Sequence, residues 1–585
     1  MIFRYAEPGK RMVTVPVQAN PSNPHSSDNF RMPAPLFFPT TACLLLALPW
    51  LTPFAPGPSP AVVPWLVALV ATAALLGLSA LRDAQAVAAT RLTLAAHWAA
   101  PFAGALVLAG LLSVVIGLLQ YFGLAAALEP WVEQGTVGEA FGNLRQRNQF
   151  ATLTNMALVA ALCIASRPRL RSVDWPWDAP AITASDTNAA STATTAGALL
   201  ARTLGLPGAV ALLAAGNAAS SSRTGLLQLV LLVALFAMWG GWRRPAPRRL
   251  LLTAVVVYGV SLLALPYLAG IEPGMFARLR DSPACGSRLV LWSNVLQLIS
   301  LRPWLGWGWG ELDFAHYMTL YSGPRFCEIL DNAHNLPLQL AFTWGVPAAL
   351  GACGLLGWWV LARAPWRERD ASRQMAWGVL AVIALHSLVE YPLWYGPFQI
   401  AAGLCVGLLW RRQHADTSGI LEPDRPLGHT VRAQASLFLI AVAGYALWDY
   451  HRISQVYLQP AERAEAYRSD AAAQARKSRL FRDQVDFSEL TVTPVTRDNA
   501  KTTFILANRM LHYSPEPRVI EKVIESAVML GLDDDALVHL ARFRAAFPVE
   551  HARWARAHEQ STRPASGAIS ISSSNEAAAD PQTRK

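Results

Sequence analysis

The sequence predicts an α-helical polytopic membrane protein, with about eleven transmembrane helices, a large loop on the outer side and a helical segment after the last span. Three observations carry this. Of the 585 residues, 53% are hydrophobic and only 15% charged, with a mean hydropathy of +0.28, whereas soluble domains carry about 25% charged residues. Apolar stretches recur at about the length a bilayer crossing needs, roughly 17–25 residues. The arginines between those stretches fall on alternate loops, as the positive-inside rule requires.

Taken in order, residues 1–35 are polar, rich in Pro, Ser and Asn, and show no signal-peptide pattern; they read as a cytoplasmic N-terminal segment. Spans follow near 36–51, 61–81, 99–120, 149–165, 199–217, 225–241, 250–269, 336–362, 375–390, 394–410 and 433–449. Arg4, Lys10 and Arg11 precede the first span, and Arg167, Arg169 and Arg171 follow the fourth. Arg243, Arg244, Arg248 and Arg249 follow the sixth, Arg363, Arg367, Arg369 and Arg373 the eighth, and Arg411, Arg412, Arg425 and Arg432 the tenth. All fall on one side, which is then the cytoplasm. The loop 270–335 and everything after Tyr450 face the other side, the periplasm of a host with two membranes. The net charge of +10 thus reports topology, and nucleic acid is not an expected partner.

Residues 36–450 form the membrane domain on this reading. Within them, 172–196 is a low-complexity linker. Residues 451–560 show helical periodicity, as in Val519, Val523, Ala527 and Leu530, punctuated by Pro460, Pro494, Pro515 and Pro548. They predict a small helical domain of paired helices on the outer face, without a clean tetratricopeptide repeat. Residues 561–585 read as a disordered tail. Cys43, Cys163, Cys353 and Cys405 lie in apolar spans and are expected as buried small hydrophobes. Cys285 and Cys327 lie in the long loop, where either a bridge or two thiols fits.

The long loop holds the densest chemistry: Arg278, Arg280, Arg288, Arg302 and Arg325, a Trp/Gly run from Pro303 to Gly310, and an end at Asp331-Asn332-Ala333-His334-Asn335. Loops beyond about 12–15 residues are usually functional or disordered, and its aromatic content argues for the former. Four clusters stand at outer loop–helix junctions. Arg223 lies in a tight hydroxyl-rich turn with no acid nearby in sequence, so an anionic ligand such as phosphate or pyrophosphate would suit its fork. Gln146, Arg147 and Asn148 open the fourth span; capping explains any one amide, while together they suit sugar hydroxyls and phosphate oxygens. His334 with Asn335 re-enters the membrane, and imidazole is the side chain suited to take a proton near neutral pH. His386 and Glu390, at i and i+4 beside Tyr391, close the ninth span; they are either functional or a buried pair joining two helices. There is no Walker or Rossmann pattern and no metal-ligand spacing, so no cofactor and no metal are expected.

In their order and placement, the Gln146/Asn148 cluster, the Ser222-Arg223-Thr224-Gly225 turn, the loop ending in His334-Asn335, and His386 through Pro392 resemble the O-antigen ligase superfamily. That family holds O-antigen ligases, O-antigen polymerases and bacterial O-linked oligosaccharyltransferases. The segment after Tyr450 resembles the C-terminal extension of the protein-glycosylating members. The resemblance implies a GT-C-like membrane architecture in the bacterial inner membrane, with the site facing the periplasm. It also implies a glycan donor on undecaprenyl pyrophosphate, a protein acceptor, pilin-like or periplasmic, and inverting transfer. His334 would then be the base for a Ser or Thr hydroxyl. Arg223 and Arg288 would neutralise the leaving pyrophosphate, with Gln146, Arg147, Asn148, Asn335, His386, Glu390 and Tyr391 binding donor or acceptor. An O-antigen polymerase or lipid A-core ligase would share this site and differ in acceptor. A glycan transporter would instead line a path through its spans with polar groups, whereas here they cluster at the outer junctions.

Overall fold

The computed structural model describes residues 34–54, 57–85, 94–166, 192–272, 284–410 and 428–562. The N-terminal segment, most of the 172–196 linker, the tail after Thr562, and Arg167, Arg169, Arg171, Arg278, Arg280, Arg411, Arg412 and Arg425 lie outside them.

Every apolar stretch is helical, and no strand occurs among the described residues. In chain order the membrane-type helices are α1 (Ala34–Leu51), α2 (Val62–Gln85), α3 (Leu94–Tyr121), α4 (Arg147–Ser166), α5 (Thr192–Ala219), α6 (Arg223–Met238) and α7 (Pro245–Ala269). The loop contributes α8 (Arg288–Leu301) and α9 (Leu312–Met318), followed by α10 (Leu336–Trp344), α11 (Val346–Arg363), α12 (Ala371–Ser387), α13 (Gly396–Trp410) and α14 (His429–Ser454). Among the described residues, six helices are long and apolar enough to cross a membrane; the apolar parts of α1 (Phe38–Leu51) and α5 (Gly205–Ala219), and α6, α8 and α13, are shorter. The chain is a multi-pass helical membrane protein. Its centre is α4, which packs against α3, α5, α6 and α12 and is buried along most of its length. Small residues allow this: a Cβ at Gly225 would meet Asn217 Oδ1 at 2.4 Å and Ala151 Cβ at 2.7 Å, so α6 can approach α4 and α5 only with glycine there.

Three expectations need correction. The eighth span, 336–362, is two helices broken at Gly345, which has φ +87°. The break frees backbone groups, and the Trp/Gly run satisfies them. Trp307 and Gly308 donate to the carbonyls of Phe342 (2.8 Å) and Thr343 (3.1 Å), and Val346 donates to Pro303 O (2.8 Å). A Cβ on Gly345 would stand 2.1 Å from Trp304 O, so the close docking of the run requires glycine. Second, the segment 270–335, expected as a loop, holds the apolar helix α8, and its Leu291, Val295, Leu298, Leu312 and Phe326 build a core of their own with Phe342 of α10. Cys285 and Cys327 are bridged, with Cα atoms 5.5 Å apart. Third, Cys353 is exposed, unlike Cys43, Cys163 and Cys405, because α11 makes little contact with the rest of the chain.

After α14 come α15 (Ala471–Ala475), α16 (Arg482–Val492), α17 (Ala500–Tyr513), α18 (Pro517–Met529), α19 (Asp533–Ala546) and α20 (Pro548–Thr562). Neighbours in sequence pack as pairs, α17 on α18 and α18 on α19, which is what short connections between amphipathic helices favour. Tyr317 of α9 enters their core with Leu490, Met510, Val519 and Phe543 and hydrogen-bonds His539 Nδ1 at 2.9 Å. Residues of α9 thus join the loop to the apolar core of the C-terminal helices.

Candidate active site

The described arginines of the expected inner side gather at one end of the bundle. Trp239 Nε1 donates to Pro365 O (2.8 Å), Arg363 to Trp410 O (3.0 Å) and Arg373 to Leu408 O (3.2 Å). The opposite end, where α4 and α6 begin and α12 ends, collects the site.

Its centre is Glu390, just past the end of α12. Oε2 lies 2.6 Å from His334 Nδ1, and Oε1 lies 2.5 Å from Arg288 Nη2. Asn148 Nδ2 donates to Oε1 at 3.4 Å, and Ser222 Oγ donates to Asn148 Oδ1 at 2.6 Å. Five residues far apart in sequence therefore form one connected cluster. An arginine stays charged at any working pH, so the carboxylate is ionised and accepts His334 Nδ1–H. That sets the tautomer and leaves Nε2 as the nitrogen with a lone pair.

His334 is held by its backbone. Its φ is +48°, a left-handed conformation costly for a non-glycine residue. Its N–H donates to Asn332 Oδ1 (2.8 Å), Ala333 O accepts from Trp292 Nε1 (3.1 Å), and Ala333 N–H donates to Gln339 Oε1 (2.8 Å). Asn335 caps α10, accepting from Leu338 N–H (3.0 Å), and donates to Leu388 O (3.0 Å). Both polar ends of Asn335 are engaged within the chain, so it positions His334 rather than standing open to a ligand. Arg145 and Ser221, which precede α4 and α6, also have positive φ. Of the four such non-glycine residues among those described, one is thus in the cluster and two stand next to its helices.

Other expected residues take different parts. Gln146 Oε1 accepts from Gln149 N–H (2.7 Å), the capping alternative. Arg147 is half-buried at the start of α4. Arg223 is exposed, next to Ser222, the cap of α6, and has no ion-pair or hydrogen-bond partner among the described residues. Arg288 was expected to face pyrophosphate, but it is paired to Glu390. The edge of Tyr391 meets the His334 ring, with centroids 4.9 Å apart, and its hydroxyl bonds Tyr395, which Gln149 also bonds. Burial first, then Tyr395 and the nearby carboxylates of Asp331 and Glu390, holds the Tyr391 phenol well above its usual range, so it is a donor and no base.

His386 is corrected most. It is 0% exposed, does not pair with Glu390, and cannot touch a substrate from there. Its Nδ1 meets Thr152 Oγ1 at 2.9 Å, and Nε2 has no partner among the described residues. Thr152 Oγ1 donates to Asn148 O (2.7 Å) and accepts from Gln228 Nε2 (2.8 Å), which also donates to Val382 O (3.1 Å). Asn155 donates to Gln228 Oε1 (3.1 Å) and accepts from Asn217 (3.2 Å). One helical turn beneath the site, this hub joins α4, α6 and α12, the helices that carry Asn148, Arg223 and, just past its end, Glu390. Polar groups therefore run deeper than the outer junctions. Ser222, Thr152 and Gln228 were missed as site residues because each alone reads as a cap or an ordinary helix residue.

Comparison with known proteins meets this geometry cluster by cluster. A family described as "Protein glycosylation ligase" matches residues 140–162, which hold Gln146, Arg147 and Asn148. "O-Antigen ligase" matches 208–353, which hold Arg223, Arg288 and His334. "Virulence factor membrane-bound polymerase, C-terminal" matches 374–562, which hold His386, Glu390 and Tyr391. The resemblance to the O-antigen ligase superfamily is thereby shown. Two relatives of this O-antigen ligase-like chain come from Acinetobacter baylyi. A general O-oligosaccharyltransferase is 22% identical over 51% of this chain and 48% of its own length. A ComP-specific O-oligosaccharyltransferase is 21% identical over 33% of this chain and 35% of its own. The chain thus spans half or less of the length of these curated relatives. No solved structure matches.

Proposed function

We propose that this chain is an inner-membrane O-oligosaccharyltransferase that moves a glycan from undecaprenyl pyrophosphate to a Ser or Thr hydroxyl of a periplasmic or pilin-like protein. The observation that carries this is the ionised Glu390 held between His334 and Arg288 (2.6 and 2.5 Å). It orients an imidazole as a base at the end of the bundle away from the arginine-rich loops. On this reading eleven spans place that end, and the helices after Ser454, in the periplasm. His334 Nε2 takes the hydroxyl proton as the oxygen forms its bond to the anomeric carbon. The bond from that carbon to the pyrophosphate oxygen breaks with inversion, and the lipid leaves as its pyrophosphate. Arg223, exposed beside the cluster, neutralises the charge that develops there; Arg288 holds the carboxylate. Asn148 and Tyr391 position donor or acceptor.

The match of residues 374–562 to a membrane-bound polymerase family favours a second reading, in which a growing O-antigen replaces the protein as acceptor; a lipid A-core acceptor would use the same site. The test is purified protein in nanodiscs with undecaprenyl-pyrophosphate-linked glycan and, in parallel, a Ser-containing pilin-like peptide, lipid A-core and free lipid-linked glycan. Transfer to the peptide, absent in His334→Ala, is expected. Transfer only to lipid-linked glycan or lipid A-core would replace the protein acceptor. Strict loss on chelation, restored by a divalent ion, would overturn a metal-independent step.

A further inference from the structure

The Trp/Gly run is not used up by docking onto the break at Gly345. Trp307 is its anchor, stacked on Phe342 at 6.1 Å and covered by Arg302 at 4.1 Å. Two residues on, Trp309 is 68% exposed, although one ring face is stacked on Trp394 at 5.8 Å and 6°. Trp394 meets Tyr391 (6.3 Å), and Tyr391 meets His334 (4.9 Å). An unbroken series of ring contacts thus leads from the base outward to a tryptophan face that stays open. The loop that presents it is preorganised, because its backbone donates to Phe342 and Thr343 and α9 follows directly.

From this arrangement we infer that Trp309, backed by Trp394, is a stacking subsite for a pyranose ring of the donor glycan beyond the sugar that reacts. The inference rests on the transferase reading of the His334 centre. A pyranose presents an apolar, weakly positive C–H face that complements the negative face of an aromatic ring, and an indole offers the broadest one. Polar groups are close to the platform's backbone: Glu311, two residues after Trp309, packs beside Gly308 and pairs with His512 of α17 at 2.7 Å. The other exposed end of the run is different. Trp304 and Leu305 are exposed close in sequence to the exposed Leu301, and their backbone packs on Gly345, which follows the exposed Trp344; these apolar residues have the composition of a membrane-interface belt. Apolar surface with convergent polar groups is the pattern of a ligand site.

Two donors test it: polyprenyl pyrophosphate bearing a single N-acetylhexosamine, and the same lipid bearing a trisaccharide. Trp309→Ala should raise KM for the trisaccharide donor about tenfold and leave the single-sugar donor unchanged. Trp309→Phe should retain most of the discrimination, and Trp309→Leu, which keeps an apolar anchor without a π face, should not. An equal KM ratio for the two donors in wild type and Trp309→Ala would overturn the subsite, as would activity fully restored by Leu. A fluorescence titration of wild type and Trp309→Phe with chitotriose separates the two readings. If wild type turns over neither donor yet shows a saturable, Trp309-dependent response, the transferase reading fails and the platform stands. No such response overturns the platform itself.

Discussion

Two buried carboxylates in this molecule each face an arginine and have opposite uses. Asp449, 0% exposed in α14, accepts at Oδ2 from Ser478 Oγ (3.0 Å) and from the N–H groups of Arg479 (3.0 Å) and Leu480 (2.9 Å). Arg452 stands 3.5 Å from Oδ1. Glu390 also has an arginine and a hydrogen-bonding amide, but its second oxygen goes to an imidazole. The donors on Asp449 are ones that neither give up nor take a proton near neutral pH, and they tie α14 to the helices after it. The donor on Glu390 has a second nitrogen whose lone pair is set by the first. A carboxylate becomes part of a reactive centre through what its partner can still do, and burial or charge pairing alone does not distinguish the two.

The comparison can be broken in several ways. His334→Ala should lower transfer by about 10²–10⁴-fold with membrane insertion unchanged; near-normal turnover would remove it as base. Asp449→Ala should do the reverse. It leaves Arg452 and two backbone donors facing a buried gap, so a loss of about 3–5 kcal/mol in stability is expected, with turnover per folded molecule retained. A large rate loss without destabilisation would make Asp449 part of the reactive centre as well.

Glu390→Gln keeps the shape and loses the charge that sets the His334 tautomer. A rate loss of at least about tenfold, roughly 1.4 kcal/mol of barrier, is expected, with little change in KM. Thr152→Val, nearly isosteric, removes the hydroxyl that joins Asn148, Gln228 and His386. A few-fold loss in kcat fits one hydrogen bond of about 1 kcal/mol, and Thr152→Ser should recover it. If the hub works through the cluster above it, the loss should shrink in a Glu390→Gln background; full additivity would make Thr152 merely structural.

The smallest effect concerns the seam between loop and C-terminal helices. Burial, then Asp331 and Glu516, pushes the Asp313 carboxyl up to about 7, so its contribution to stability falls as pH rises from about 4 to 7. Burial, then Arg325, lowers His316 to about 3, so its contribution falls as pH drops below about 6.5. The two slopes oppose each other between about pH 4 and 6.5. Asp313→Asn should expose the His316 slope, with melting temperature rising with pH, and His316→Gln the reverse. Identical pH profiles in both variants would remove this coupling.

Much of the membrane architecture was legible because hydropathy is local: each apolar stretch can be read without knowing its neighbours, and each is a helix. The break at Gly345 was not legible. Leu336 through Leu361 reads as one continuous apolar stretch, and only the arrival of Pro303–Gly308 gives the freed carbonyls partners. His334, Arg288, Asn148 and Glu390 were legible as candidates because charge and amides at helix mouths are costly without a use.

Their roles were another matter. The i, i+4 spacing of His386 and Glu390 suggested a pair, and the end of α12 at Ser387 turned the two apart. The sequence alone determined the class of protein, the likeness to a family and the set of polar residues from which a site had to be built. Only the tertiary structure decided that Glu390 belongs to His334 and Arg288, that His386 lies beneath, and that Arg223 stays open. Hydropathy and charge are properties of segments, whereas a hydrogen bond across 56 residues depends on where two helix ends meet.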